Sequence, residues 1–219
     1  TGKGIRMTVH VIYSGGLDST AALTGQLIGK RIEEVRAVGF AYGQTHVREL
    51  ESARAIAEKL QVRYEVREID GIFHDSALLA SDTRDIPLAS YAAENIAETV
   101  VGGRNLLFAS LAVAQASRGD KIVVGVHAGD HEIYGDCRPD FWTALRAAVK
   151  GAYGIEIMTP FLHLTKAEIV RLGVAWGAPL GDSWSCYVGG DLHCGECATC
   201  SERRGAFHIA GVEDPTYYA

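Results

Sequence analysis

Short apolar runs and helix-length amphipathic runs alternate along this chain, and that alternation restricts its possible architectures more than any other feature. The β-branched run from Arg6 to Tyr13 reads as a strand bounded by a Gly-rich turn, and Ser19 to Leu27 reads as a helix. Glu34 to Phe40 is a second predicted strand. Thr45 then stands as the N-cap of a helix reaching about Leu60, in which Val47, Leu50, Ala53, Ile56, Ala57 and Leu60 keep helical spacing. Val62 to Ile69 is a third strand, followed by a less regular stretch at 81–103. The pattern resumes with a helix from Arg104 to Ser117, a short strand from Lys121 to Val126, and a helix opened by Pro139 and running to about Val149. A strand from Ile155 to Met158 and a helix opened by the capping-box pattern Thr165-Lys166-Ala167-Glu168 complete it. Such alternation predicts an α/β fold, a Rossmann-like parallel sheet with helices on both faces. Sites in these folds lie beyond the carboxyl ends of the strands, which points to the loops after Tyr13, Phe40 and Val126. We expect an α/β body over residues 1–180 and a small C-terminal segment, 181–219, packed on it.

The rest of the composition removes whole classes of function. Of 219 residues, 47% are apolar and 22% charged, as in an ordinary globular protein. No apolar run approaches the roughly 20 residues of a membrane span, and no apolar core after the N-terminus reads as a signal peptide, so a cytoplasmic protein without membrane contact is expected. A net charge of −6 argues against direct nucleic-acid binding, which normally needs a basic face. Four of the five cysteines cluster as Cys186-x7-Cys194-x2-Cys197-x2-Cys200. Four thiolates this close suit a tetrahedral Zn²⁺ site of structural type, with no position left open for water. An iron–sulfur cluster is the alternative, but its fourth cysteine usually comes from elsewhere and precedes proline, whereas Ser201 follows Cys200. Unliganded thiols are a third reading. Cys137 stands apart and reads as a small buried residue rather than a nucleophile.

The first loop, Tyr13-Ser14-Gly15-Gly16-Leu17-Asp18-Ser19-Thr20, joins a strand to a helix N-terminus. Its glycines admit close approach of backbone N–H groups, the helix start adds unpaired donors and positive dipole, and the hydroxyls add more. Together they suit phosphate or pyrophosphate; an ordinary strand–helix turn is the alternative. The lysine of the Gly-x-x-x-x-Gly-Lys loop is missing. The segment resembles instead the Ser-Gly-Gly-x-Asp-Ser signature of the PP-loop ATPases, which cleave ATP between the α and β phosphates. A carboxylate beside pyrophosphate requires a cation, so Mg²⁺ placed with the help of Asp18 is expected.

With these motifs in hand, the chain resembles the QueC family of 7-cyano-7-deazaguanine synthases from Met7 to about Gly205. The resemblance is carried by Tyr13 to Leu23; Tyr42-Gly43-Gln44-x-His46; Gly103-Arg104-Asn105; Gly125 through Asp136-Cys137-Arg138-x-Asp140-Phe141; Thr159-Pro160 with Lys166-Ala167-Glu168; and Ser185-Cys186-Tyr187 leading to the remaining cysteines. It implies an ATP-dependent carbon–nitrogen ligase, and a homodimer. ATP activates the carboxylate of 7-carboxy-7-deazaguanine, ammonia displaces AMP to give the amide, and a second ATP activates the amide so that loss of AMP leaves the nitrile. Ser14, Gly15, Gly16, Asp18, Ser19 and Thr20 match the ATP loop, with Tyr13 and Leu17 beside them. Tyr42, Gln44 and His46 follow the second strand, where an adenine or substrate edge is read; His46 is either a proton shuttle or a helix cap. Arg104 and Asn105, at a helix N-terminus, suit a phosphate or carboxylate, against the alternative of a surface arginine. The dense loop after the fourth strand holds His127, Asp130, His131, Glu132, Tyr134, Asp136, Arg138 and Asp140. His127, Asp130, His131 and Glu132 compose a second metal site on residue type alone, whereas the resemblance implies substrate binding, with Arg138 on the carboxylate. Lys166 approaches a phosphate or else is solvated. The catalytic candidates are thus Asp18, His46, Arg104, Asp130, Asp136, Arg138 and Lys166. The competing functions are a related amide ligase acting on another carboxylate or in DNA modification, a non-catalytic nucleotide sensor, and a tRNA thiolase.

Overall fold

A computed structural model describes residues 7–44, 48–69, 71–73, 76, 78–79, 100–131 and 134–219. In chain order the described elements are β1 (Val9–Ile12), α1 (Leu17–Leu27), β2 (Val35–Ala41), α2 (Arg48–Lys59), β3 (Arg63–Glu68), α3 (Arg104–Gln115), β4 (Lys121–Val123), α4 (Pro139–Tyr153), β5 (Glu156–Met158), α5 (Lys166–Ala175) and α6 (Ala198–Ala210). The strands form one sheet in the order β3-β2-β1-β4-β5, every pairing parallel. This is the α/β architecture that the alternation predicts.

Helices cover both faces of the sheet. Val9 and Val11 of β1 point to a core completed by Ala21 and Leu23 of α1, Ala53 and Ile56 of α2, Ile169 and Val170 of α5, and Phe207 of α6. On the other face Ile122, Val124 and Ile157 meet Ala109 and Ala112 of α3 and Trp142 and Val149 of α4. The central strand, buried on both sides, is therefore apolar except at His10, whose ring pairs with Asp120. The edge strand β3 instead carries Arg63, Glu65, Arg67 and Glu68, charges that discourage pairing with another chain. Among the described residues no helix is long and apolar enough to cross a membrane.

Some boundaries differ from those read in the sequence. α1 starts two residues before Ser19, because the extended Gly16 serves as its N-cap. β4 ends at Val123 rather than Val126: the Val124 amide still donates to the Met158 carbonyl (2.9 Å), and the chain then leaves the sheet. α4 continues past Val149 to Tyr153 and stops where Gly154 turns left-handed (φ 67°). The Thr165–Glu168 capping box and Pro139 in the first turn of α4 are both present. The Thr45 cap lies outside the described residues.

The amino end of the sheet is tied by Asp120, which is 5% exposed. Its carboxylate accepts from the Thr8 amide (2.8 Å), the Ser117 amide (2.9 Å) and His10 Nε2 (3.1 Å). Burial alone would raise its pKa, but the Ser117 and Thr8 amides and His10 outweigh burial and hold it below the ordinary range. A depressed carboxylate stabilises the fold above its unfolded pKa of about 3.9, and that stabilisation is lost as pH falls through the lower folded value. Asp120→Asn should therefore cost about 1–3 kcal/mol at pH 7. Denaturant titrations should show the gap to the parent chain closing below about pH 4.

Candidate active site

A cleft of about 260 Å³ opens at the carboxyl end of the sheet. Its floor consists of the residues that follow the strands: Tyr13 and Ser14 after β1, Tyr42 and Gln44 after β2, and Val124, Gly125 and Val126 after β4. β1 has β2 on one side and β4 on the other, so the chain reverses its direction of travel across the sheet there, and the crevice falls at that reversal.

The first loop is closed by its own hydroxyls. Ser14 Oγ accepts from the Gly16 amide (3.3 Å) and lies 3.2 Å from Ser19 Oγ, which donates to the Gly16 carbonyl (3.1 Å). Among the described residues no side chain caps the start of α1. Its first-turn amides therefore remain available to an anion, in a loop already shaped for one. Thr20, by contrast, is buried, and its hydroxyl faces Tyr13 Oη (3.4 Å). Gly15 sits behind the loop at φ 85°; a Cβ there would lie 2.6 Å from the Glu49 carbonyl oxygen and 2.7 Å from the Ala53 amide nitrogen of α2. Both conformation and space demand glycine. Gly15→Ala should shift the loop and weaken ADP binding by at least tenfold in calorimetry, with wild-type affinity in the variant refuting the loop's role.

At one side of the cleft, charges converge from four parts of the chain. Lys166 Nζ lies 3.5 Å from Asp18 Oδ2 and forms an ion pair with Glu202 of α6. His127 Nε2 lies 3.4 Å from Asp130 Oδ2 and 3.7 Å from Asp18 Oδ2. The Gly129 amide donates to His127 Nδ1 (3.1 Å), so a neutral ring carries its proton on Nε2, facing the two carboxylates. Burial would lower the Lys166 pKa, but Asp18, Glu202 and Asp130 raise it well above the ordinary value. Burial raises the Asp130 pKa, only partly opposed by His127 and Lys166. With three carboxylates against one ammonium and one imidazole, the cluster is short of positive charge. Asp18 Oδ1 is buried with no hydrogen-bond partner among the described residues, which fits a cation.

Arg104 forms the other pole. Its guanidinium donates to Tyr42 Oη (3.3 Å), stands 5.9 Å from the Tyr42 ring centroid, and interacts electrostatically with Tyr187 and Tyr134. Burial would lower its pKa, but the phenols around it more than compensate. Phe108 stacks on Phe40 (4.3 Å) beneath this pole. A flat heterocycle bearing an anionic group suits such a wall of rings around one cation.

The C-terminal segment closes the cleft with Trp184, Ser185, Tyr187 and Thr199. The Trp184 amide donates to the Gly15 carbonyl (3.0 Å), and its indole N–H to the Cys186 carbonyl (3.0 Å). Behind it the ligand atoms of Cys186, Cys194, Cys197 and Cys200 all lie within 4.8 Å of one another. Sulfurs around a tetrahedral zinc at 2.3 Å stand about 3.8 Å apart, so the set fits one ion after slight contraction. Buried Arg203 staples the segment to the body, donating to Leu180 O (2.6 Å), Ser183 Oγ (2.9 Å), Ser185 Oγ (3.1 Å) and Thr216 Oγ1 (2.6 Å).

Of the residues singled out in the sequence, Tyr13, Ser14, Gly16, Leu17, Asp18, Ser19, Tyr42, Gln44, Arg104, Asn105, Asp130 and Lys166 line this one cleft. Several are engaged with the fold. Gln44 bridges Tyr42 N (2.8 Å) and Phe40 O (3.2 Å). Asp136 accepts from the Asn105 amide (3.0 Å) and side chain (3.2 Å), capping α3. Arg138 is exposed outside the cleft and donates to the His131 carbonyl (2.9 Å). Cys137 is buried, and burial first, then Asp130 and Asp136, raise its thiol pKa, which disfavours a nucleophile. His46 and Glu132 lie outside the described residues. Glu49, Tyr187, Trp184 and Glu202 belong to the site without having been singled out for a role in it.

Residues 8–211 match the family profile described as Queuosine biosynthesis protein QueC. The chain is 44% identical to 7-cyano-7-deazaguanine synthase of Ruegeria sp. (strain TM1040), over 97% of this chain and 94% of the relative. It is 43% identical to the enzyme of the same name from Brucella anthropi, with the same coverage. Among solved structures, NMN synthetase from Francisella tularensis is similar over 95% of this chain and 79% of its own, at 16% identity and a TM-score of 0.48.

Proposed function

The chain belongs to the QueC family of queuosine biosynthesis proteins, and from that premise we propose how its cleft works as an ATP-dependent ligase that makes 7-cyano-7-deazaguanine from 7-carboxy-7-deazaguanine and ammonia. The observation that carries the reading is the meeting, in one cleft, of an uncapped Gly-rich helix start, a cation-deficient carboxylate cluster and an arginine set among aromatic rings.

The substrate carboxylate attacks the α-phosphorus of ATP, and pyrophosphate leaves. The amides at the start of α1, with Ser14 and Ser19, hold the pyrophosphate. Asp18 and Asp130 would hold Mg²⁺, which neutralises phosphate charge when bound. Lys166 stands beside them as a fixed positive charge. Arg104 orients the deazaguanine through its anionic group, while Tyr42, Tyr187 and Trp184 contact the ring and exclude water. Ammonia then displaces AMP. Because oxide is a poor leaving group and AMP a good one, the protein's task is positioning and charge stabilisation. The four cysteines would hold Zn²⁺ in a structural role on residues 181–219, beside the nucleotide-binding body of residues 1–180.

The test is mass spectrometry of a reaction with ATP, Mg²⁺, ammonium and 7-carboxy-7-deazaguanine. Nitrile accompanied by AMP and pyrophosphate is expected. Turnover of a different carboxylate, with none of this one, would sink the substrate assignment.

A further inference from the structure

Making a nitrile from ammonia has a proton problem. Nitrogen enters with three hydrogens and ends with none. When ammonia attacks the adenylated carboxylate, a C–N bond forms, the C–O bond to AMP breaks with its electron pair, and one proton leaves nitrogen to give the neutral amide. The amide oxygen then attacks the second ATP and expels pyrophosphate. As the C–O bond to the second AMP breaks, two more protons leave nitrogen and the nitrile remains. Something in the cleft must take protons from nitrogen at neutral pH.

Three carboxylates line the cleft among the described residues: Asp18, Asp130 and Glu49. Asp18 lies within ion-pair distance of Lys166, and Asp130 within that distance of His127, so both are committed to the charged cluster. Cys137 and Tyr42 both have raised pKa values, burial being the first cause, and are poor acceptors in their protonated forms. Glu49 is different. It stands in the first turn of α2, whose backbone packs directly behind Gly15 of the nucleotide loop, and it lines the cleft across from Arg104. We propose that Glu49 is the proton acceptor for the nitrogen-transfer steps, taking protons from the attacking ammonia and from the activated amide and passing them to solvent at the cleft mouth. This rests on the functional reading above.

The electrostatics agree with that role. The groups that face Glu49 among the described residues are the Arg104 guanidinium from α3, the Tyr42 phenol after β2 and the Tyr64 phenol of β3. Burial pushes the Glu49 carboxyl up to about 7, with Arg104 opposing only in part. An ordinary glutamate near 4.3 is too weak a base at neutral pH, whereas one near 7 is matched to it. The carboxylate form accepts protons above pH 7, so nitrogen transfer should rise through that pH.

The experiment separates adenylation from nitrogen transfer. Glu49→Gln should form pyrophosphate in a single turnover within about threefold of the parent rate, yet yield amide and nitrile roughly 100-fold more slowly. It should also lose the rise in nitrogen-transfer rate near pH 7, and Glu49→Asp should restore part of both. Bound ADP and an unchanged melting temperature would establish that the Gln variant is folded. The unaltered protein supplies an independent check when started from the amide, where free ammonia plays no part: its nitrile rate should rise near pH 7 while pyrophosphate formation does not. A Gln variant with parental nitrile rate and pH profile would overturn the proposal. Equal loss of pyrophosphate and nitrile would overturn it too, placing Glu49 in nucleotide binding. No nitrile from the unaltered protein would overturn the functional reading itself, and this assignment with it.

Discussion

Asp18→Asn should lower the rate of AMP formation by about 10²–10³-fold while leaving the fold intact. Asp18 is the one carboxylate that belongs to both the nucleotide loop and the charged cluster: it opens α1 and stands 3.5 Å from Lys166 and 3.7 Å from His127. Asparagine keeps the shape but removes the negative charge that a cation needs, just where Asp18 Oδ1 lacks a hydrogen-bond partner among the described residues. Lys166 retains Glu202 as its ion-pair partner, so no buried ammonium is stranded and the global cost should stay near 1 kcal/mol. Three measurements identify the cause. Melting temperature should fall by only a few degrees, ADP should still bind in the absence of Mg²⁺, and the Mg²⁺ concentration needed for half-maximal rate should rise at least tenfold. A variant slowed equally at all Mg²⁺ concentrations would mean that Asp18 acts through the helix start alone.

What the sequence made legible was the scaffold and the location of the site. Strands and helices announce themselves by period, and a parallel sheet directs function to its carboxyl end, so the loops after Tyr13, Phe40 and Val126 could be named in advance. Which polar groups remain free there was not legible. Gln44, Asn105, Asp136 and Thr20 have the residue types and positions of ligand readers, but each is hydrogen-bonded within the fold. A donor's chemistry is local, while its partner is set by packing between distant segments. The same limit hid Glu49 and Glu202, which sit on amphipathic helices where a charge ordinarily reads as solvated. Arg203 is the extreme case: nothing around it in sequence marks it, yet it is 1% exposed and gathers acceptors from Leu180, Ser183, Ser185 and Thr216.

Stripping the metal from the cysteine cluster should abolish more than local order. If the site were a remote staple, chelation would lower the melting temperature and leave nucleotide affinity alone. The geometry argues otherwise. Thr199 lines the cleft and lies 3.3 Å from Cys197 Sγ, so one residue touches both the cysteine cluster and the cleft. Trp184 links Cys186 to Gly15 by two hydrogen bonds, one from its indole N–H and one from its backbone amide, and its ring lies tilted against that of His193 (centroids 4.3 Å). Within the cluster, the Glu196 and Cys197 amides donate to Cys194 Sγ (3.4 and 3.3 Å) and the Cys194 amide to Cys186 Sγ (3.4 Å), hydrogen bonds that hold the sulfurs in place. Without an ion the four sulfurs lose their common centre, and the wall they anchor moves with them. We expect chelation, or Cys200→Ser, to lower the melting temperature by about 5–10 °C and to weaken ADP binding at least tenfold, with Zn²⁺ restoring both in the chelated protein. The serine variant should not recover on adding Zn²⁺, which separates loss of the ion from damage by the chelator. Full ADP affinity in a protein shown to be metal-free would reduce the cluster to a staple and detach Trp184 from the nucleotide loop in function, whatever their contact in the fold.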